Sequence, residues 1–153
     1  MNGPGPRLRA RFWELPLGDL NHNEWEALCD GCGRCCLRKL EDAETGEVAY
    51  TRVACRLLDC ATAQCCDYAN RFARVPDCID LTPGTIAENA YWMPQSCAYR
   101  LRFEGKPLPA WHPLLTGRAD TVVEAGISMA GRVISESGVD EDDLEDHVIE
   151  GDF

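Results

Sequence analysis

The sequence predicts an α+β fold: a small single domain of short helices and strands, with irregular loops tied together by metal-thiolate sites. Three observations carry that expectation. Apolar spacing switches between helical and strand-like within windows of about ten residues. Proline and glycine, 9 and 13 of the 153 residues, interrupt the regular runs. Ten cysteines fall mostly in the irregular stretches, as expected where metal bonds replace part of a hydrophobic core.

Asp19 to Leu28 reads as a short helix, with Leu20, Trp25 and Leu28 apolar at helical spacing. Glu47 to Val53 is rich in strand formers and follows a Thr45-Gly46 turn signal. Thr82 caps a helix with Pro83 in its first position, running to about Trp92 and stopped by Pro94. Residues 104–118 hold three prolines and two glycines and are expected to be mostly loop. Residues 126–135 suggest one or two short strands, and Asp140 to Ile149 a closing helix with acids in its first turn. No internal repeat stands out. The organisation expected is a flexible N-terminal segment over 1–11, a cysteine-cluster metal-binding domain over 12–135 and an acidic C-terminal helix or tail over 136–153.

Charge and hydropathy exclude several classes of function. The net charge of -11 is concentrated in residues 133–153, which carry nine acids and no Lys or Arg. Such a balance argues against nucleic acid as a partner, because phosphate backbones reward a basic face. No apolar run approaches the roughly 20 residues of a membrane span, and the first twenty residues show no apolar core followed by a cleavage site. The chain therefore reads as a cytoplasmic monomer with no membrane partner. In a reducing cytosol, clustered cysteines serve as metal ligands or redox groups more often than as bridges.

The cysteines are 29, 32, 35, 36, 55, 60, 65, 66, 78 and 97. In "LCDGCGRCC", Cys29 and Cys32 form a Cys-x-x-Cys loop that brings two sulfurs to one ion. Gly31 and Gly33 allow the tight turn, with amides pointing at sulfur. Cys35 extends the spacing toward that of a bacterial ferredoxin, but residue 39 is Lys where the next ligand would fall. Adjacent side chains diverge, so Cys35 and Cys36 are expected to place one sulfur on each of two ions or to bridge a polynuclear cluster. The alternatives are a second cysteine that merely packs and a vicinal disulfide switch. Nine of the fifteen bases, including Lys39 and Arg71, lie within about five residues of a cysteine, placing cations where a negative metal-thiolate centre could use them.

The runs "FWELPL", "EWEALCDGCGRCCLRKLEDAETGEVAYTRVACRLLD", "DYANRF", "VPDCIDLTP", "WMPQSCAYRL" and "LPAWHPLLTG" resemble the bacterial YcgN family of cysteine-cluster proteins, which carry a CxxCxxCC zinc- or iron-chelating domain. The resemblance covers about Phe12 to Ile149. It implies a ligand set of Cys29, Cys32, Cys35, Cys36, Cys55, Cys65, Cys78 and Cys97. The chain departs from the pattern in "LLDCATAQCCDY", where Ala63 stands at a position that is cysteine in relatives, and Cys60 and Cys66 are extra.

Eight thiolates divide most simply into two four-sulfur sites, giving a cofactor expectation of about two zinc ions in closed sites with no open position for chemistry. Iron or an iron-sulfur cluster is the alternative, since thiolates serve both metals. The function expected is a zinc-stabilised binding or adaptor module meeting a protein partner through exposed segments, including 104–118 and the acidic tail. The rival readings are an iron redox protein or enzyme using the same cysteines, and metal buffering or transfer. No catalytic motif supports an enzyme. His112, between Trp111 and Pro113, reads as a surface or hydrogen-bonded loop residue rather than a metal ligand or proton carrier, and Tyr68 with Arg71 as packing beside a cysteine loop.

Overall fold

A three-stranded sheet organises one part of the chain and a set of short helices the other, giving the α+β class. The computed structural model describes residues 8–76 and 78–149; residues 1–7 of the expected N-terminal segment and 150–153 of the expected tail lie outside the described residues. The chain divides into two compact units, the first built from residues up to Asp30 with Ile79–Val122, the second from Gly31–Cys78 with the residues after Val122.

In the first unit, α1 (His22–Ala27) begins at Asn21 rather than Asp19. Leu17–Asp19 forms a separate 3-10 turn, and Leu20 and Asn21 are extended. Asn21 and Glu24 make a reciprocal capping box that satisfies two first-turn amides. Glu24 is fully buried and tolerates it because Arg9 grips both its oxygens, the closest contact being 2.6 Å. That guanidinium, with the Asn21 and Arg9 backbone amides, outweighs burial and holds the carboxyl down to about 2.

The helix expected from Thr82 starts later. The Thr85 hydroxyl accepts from the Thr82 amide and donates to the Asp80 carbonyl, closing a turn. Only then do α2 (Ile86–Asn89) and a 3-10 turn (Ala90–Trp92) follow. Met93 is extended ahead of Pro94. A helix the sequence reading did not expect, α3 (Ala98–Phe103), presents Tyr99 against Trp25, with ring centroids 4.7 Å apart. The Tyr99 hydroxyl donates to the Trp25 carbonyl, and the Trp25 indole donates to the Leu81 carbonyl. Those bonds satisfy the polar ends of buried aromatics.

Residues 104–118 contain more structure than a loop. His112 caps α4 (Pro113–Thr116), with proline at the first position and Gly117 in the left-handed region at the end. His112 is fully buried. Its Nδ1 accepts from the Leu114 amide, so the ring proton sits on Nε2, which donates to the Leu28 carbonyl. Burial dominates and lowers its pKa, against the opposing pull of the Leu28 bond and Asp30.

Above its ordinary value near 6.5, folded and unfolded chains both hold this histidine neutral. As pH falls below that value, the unfolded chain takes up a proton the folded chain refuses, and stability declines. Denaturation between pH 7.5 and 5 is expected to show that loss, with a shallower slope in His112→Gln. Glu24 acts separately: its contribution is full above its ordinary value near 4.5 and is lost progressively as pH falls from there toward about 2.

In the second unit, β1 (Leu37–Glu41) and β2 (Val48–Ala54) form an antiparallel hairpin. Asp42 closes it by accepting from the Glu44 and Thr45 amides, and Gly46 supplies the left-handed residue. The 126–135 stretch provides a single short strand, β3 (Ile134–Ser135), parallel to β2. Leu37, Tyr50, Ala54, Leu58 and Met129 form the core.

The closing segment is a 3-10 helix, Glu141–His147, capped by Asp140. The segment contains no Lys or Arg to pair with its acids. Arg38 instead reaches Glu136 and Glu141 from β1, and Val148 pairs with Thr51 of β2. No helix among the described residues is long and apolar enough to cross a membrane.

Candidate metal centre

The cysteine loop is shaped by two glycines. Gly31 and Gly33 both adopt positive φ, 75° and 78°, and Arg34–Cys36 then forms a 3-10 turn. The Arg34 amide points at Cys32 Sγ, 3.4 Å away, the amide-to-sulfur arrangement expected of such a loop. The loop is fixed by the Met129 amide donating to the Cys32 carbonyl and by Arg34 Nε donating to the Ile127 carbonyl.

Ala63 lies directly beneath Gly33 and has positive φ itself. A Cβ on Gly33 would sit 2.9 Å from the Ala63 Cβ. Gly33→Ala therefore combines a strained backbone with a clash and is expected to cost about 2–4 kcal/mol in denaturant titration, whereas Gly46→Ala, strained but facing open space, costs about 1 kcal/mol.

Backbone pairing gathers the thiols. The Cys55 amide at the end of β2 donates to the Cys36 carbonyl, and Leu58, one turn beyond Cys55, bridges to Cys65. Arg56 donates to the Arg74 carbonyl at the end of a helical turn (Arg71–Arg74) that leads toward Cys78. Cys36 consequently feels Cys35, Cys55 and Cys78, and Cys65 acts on Cys55 and Cys78.

The Cys36 thiol is in hydrogen-bonding contact with Cys35; that contact, then burial, then Cys55 and Cys78 push its pKa up. Burial raises Cys78, with Cys55, Cys35 and Cys65 adding to it and Arg71 opposing. Burial also raises Cys55, with Glu136 and Cys65 adding to it and the Leu57 amide and Arg56 opposing. Among the described residues, no three His, Cys, Asp or Glu side chains are drawn together as a finished metal cage.

The other cysteines are placed differently. Cys29 is exposed just after α1, and Cys97 is buried as the N-cap residue of α3, both in the first unit. Cys60 is half-buried and its carbonyl accepts from the Gly131 amide, while Cys66 is exposed. Neither is among the charges acting on Cys36, Cys55 or Cys78.

The sequence reading missed the specific roles of two cations. Lys39, seen there chiefly as a missing ferredoxin cysteine, directs its ammonium at the Cys35 and Leu37 carbonyls. Arg71 lies over the Tyr68 and Phe72 rings. Proximity in sequence to a cysteine signalled both without distinguishing them from Arg38 or Arg74, which pair with carboxylates.

Residues 28–98 match the CxxCxxCC family model, described as a "putative zinc- or iron-chelating domain". A UPF0260 protein of Rhodobacter capsulatus is 54% identical over 143 residues, covering 94% of this chain and 96% of the relative. The chain belongs to the UPF0260 family of CxxCxxCC proteins. A UPF0260 protein of Pseudomonas putida is 57% identical over 141 residues, covering 92% and 93% of the two chains. One of Azotobacter vinelandii is 58% identical over 139 residues, covering 90% and 93%. No solved structure matches the chain.

The donor set fits a zinc- or iron-chelating UPF0260 domain. All-sulfur ligands suit these metals and not magnesium or calcium, which prefer oxygen. A cation held by these cysteines would offset the repulsion and burial that otherwise keep Cys55 and Cys78 protonated. His112 takes no part in such a site, since both its ring nitrogens are committed to backbone.

Proposed function

We propose that this UPF0260 protein is a zinc-stabilised binding or adaptor module, cytoplasmic, whose metal holds the second unit together and whose surface meets a protein partner. The observation that supports the reading is the backbone pairing of Cys55 with Cys36 and of Leu58 with Cys65, which draws these cysteine segments together beside a hydrophobic core. Cys35, Cys55, Cys65 and Cys78 hold the ion, and Cys36 donates its thiol proton toward Cys35. The ion supplies cross-linking between the strand ends and the 65–78 segment; four thiolates leave no open coordination position for a reaction. The ligand set implied by the family resemblance also includes Cys29, Cys32 and Cys97, which this reading keeps as candidate ligands. The acidic run Asp140–Asp146, mostly exposed, is the surface offered to a partner, whose contact face would be basic.

The test is protein purified without oxygen, followed by metal analysis and a visible spectrum. A colourless sample containing zinc supports the module. Brown absorption at about 400 nm, with iron and labile sulfide, would replace it with an iron redox protein using the same sulfurs.

A further inference from the structure

The first unit carries a cavity of about 410 Å³ that is lined by no described cysteine. Its size suits a small organic molecule, for which sites of about 300–1,000 Å³ are usual. One wall is apolar. Trp13 stands on the 3-10 turn Phe12–Glu14, where the fully buried Phe12 ring meets it edge-on with centroids 5.4 Å apart. Pro107 and the buried Leu108 come from the segment after α3, and Leu115, 44% exposed, comes from α4.

The other wall is charged and unevenly paired. Arg11 and Glu14 bind each other, Nε donating to Oε2 at 2.9 Å and Nη2 to Oε1. Arg102, at the end of α3, is held by backbone alone. Its Nη1 donates to the Lys106 carbonyl at 2.9 Å, and its Nη2 reaches the Glu14 carbonyl at 3.4 Å. Its Nε is buried and has no hydrogen-bond partner among the described residues, and a buried donor left unmade is costly. Among the described residues no carboxylate forms an ion pair with Arg102: both Glu14 oxygens already bind Arg11, and Glu14 feels Arg102 only through its charge. One cation is therefore left in excess beside an apolar wall. Arg11 also holds left-handed backbone, with φ at 53°, which is strained for a residue with a side chain; such strain collects at binding sites.

We infer that this cavity binds a small carboxylate with a flat apolar body, the body lying against Trp13 and Leu108 and the carboxylate on Arg102. A planar guanidinium meets a carboxylate through two parallel N–H···O bonds. The apolar body is needed because a partly solvated guanidinium holds a bare anion weakly. The site goes beyond the metal reading and does not depend on it.

Titration of 3-phenylpropionate into the isotope-labelled full chain, followed by amide and indole chemical shifts, tests this. A dissociation constant on the order of 1 mM is expected for so small a ligand, with shifts concentrated at Trp13, Leu108 and Leu115. Arg102→Gln is expected to weaken binding about tenfold, and Arg102→Lys, which keeps the charge and loses the fork, about threefold. The uncharged analogue 3-phenylpropanol should bind about tenfold more weakly than the acid and respond little to Arg102→Gln. Because Arg102 also holds two backbone carbonyls, Leu115→Glu serves as a second variant. It places an acid at an exposed position and should abolish binding of the acid while leaving the rest of the spectrum unchanged.

Absence of shifts at the cavity residues with about 20 mM ligand would overturn the inference. So would equal binding of the acid and the alcohol, or a folded Leu115→Glu chain that binds the acid as wild type does.

Discussion

Removing the metal under reducing conditions is expected to unfold residues 31–78 and 123–149. The main hydrophobic cluster of that unit is five buried residues, Leu37, Tyr50, Ala54, Leu58 and Met129, with Cys36, Val48, Val133 and Ile149 only partly covered around them, and Val53, Leu57, Ala63 and Leu144 are buried outside it. Beyond β2, the chain from Cys55 to Cys78 contains isolated bridges, turns and one helical turn. A structural zinc site contributes on the order of 10 kcal/mol to folding, comparable with the whole stability of a typical domain at about 5–15 kcal/mol. Hydrogen exchange before and after chelation is the readout, and amides of β1, β2 and the 55–66 segment should lose protection. Retained tertiary structure in metal-free, reduced protein would contradict the coupling of metal to fold.

Single cysteine substitutions are expected to divide the ten thiols sharply. Cys55→Ser, Cys65→Ser or Cys78→Ser each takes a sulfur from the converging set and should abolish stoichiometric metal binding at that centre, with a loss of several kcal/mol in stability. Cys60→Ser and Cys66→Ser should leave metal content unchanged and shift stability by under about 1 kcal/mol. Cys36→Ser is the intermediate case. A serine can still donate toward Cys35, so the ion should stay bound but leave faster under chelator. Metal-to-protein ratios of the purified variants decide the partition, and equal loss from all of them would refute it.

The sequence made the hairpin and the loop legible because their signals are local. Thr45-Gly46 marks the turn that Asp42 closes, and Gly31 and Gly33 mark the left-handed residues of the cysteine loop. α3 was missed because Cys97, its N-cap residue, makes no side-chain cap bond, and its anchoring contact, Tyr99 on Trp25, spans 74 residues. His112 was read correctly as hydrogen-bonded, but its full burial depends on the distant Leu28 carbonyl. The helix placed at Thr82 began late because Thr85, not Thr82, organises the turn. For the cysteines, spacing gave the loop, while the convergence of Cys55, Cys65 and Cys78 on it depends on strand pairing and a bridge.

The most direct measurement of the central claim is X-ray absorption at the metal edge of the protein as purified, compared with Cys55→Ser. Wild type is expected to show about four sulfur neighbours at about 2.3 Å from zinc, and Cys55→Ser to lose the metal or replace one sulfur with oxygen or nitrogen. A wild-type shell dominated by oxygen or nitrogen, or a sulfur shell unchanged in Cys55→Ser, would contradict it.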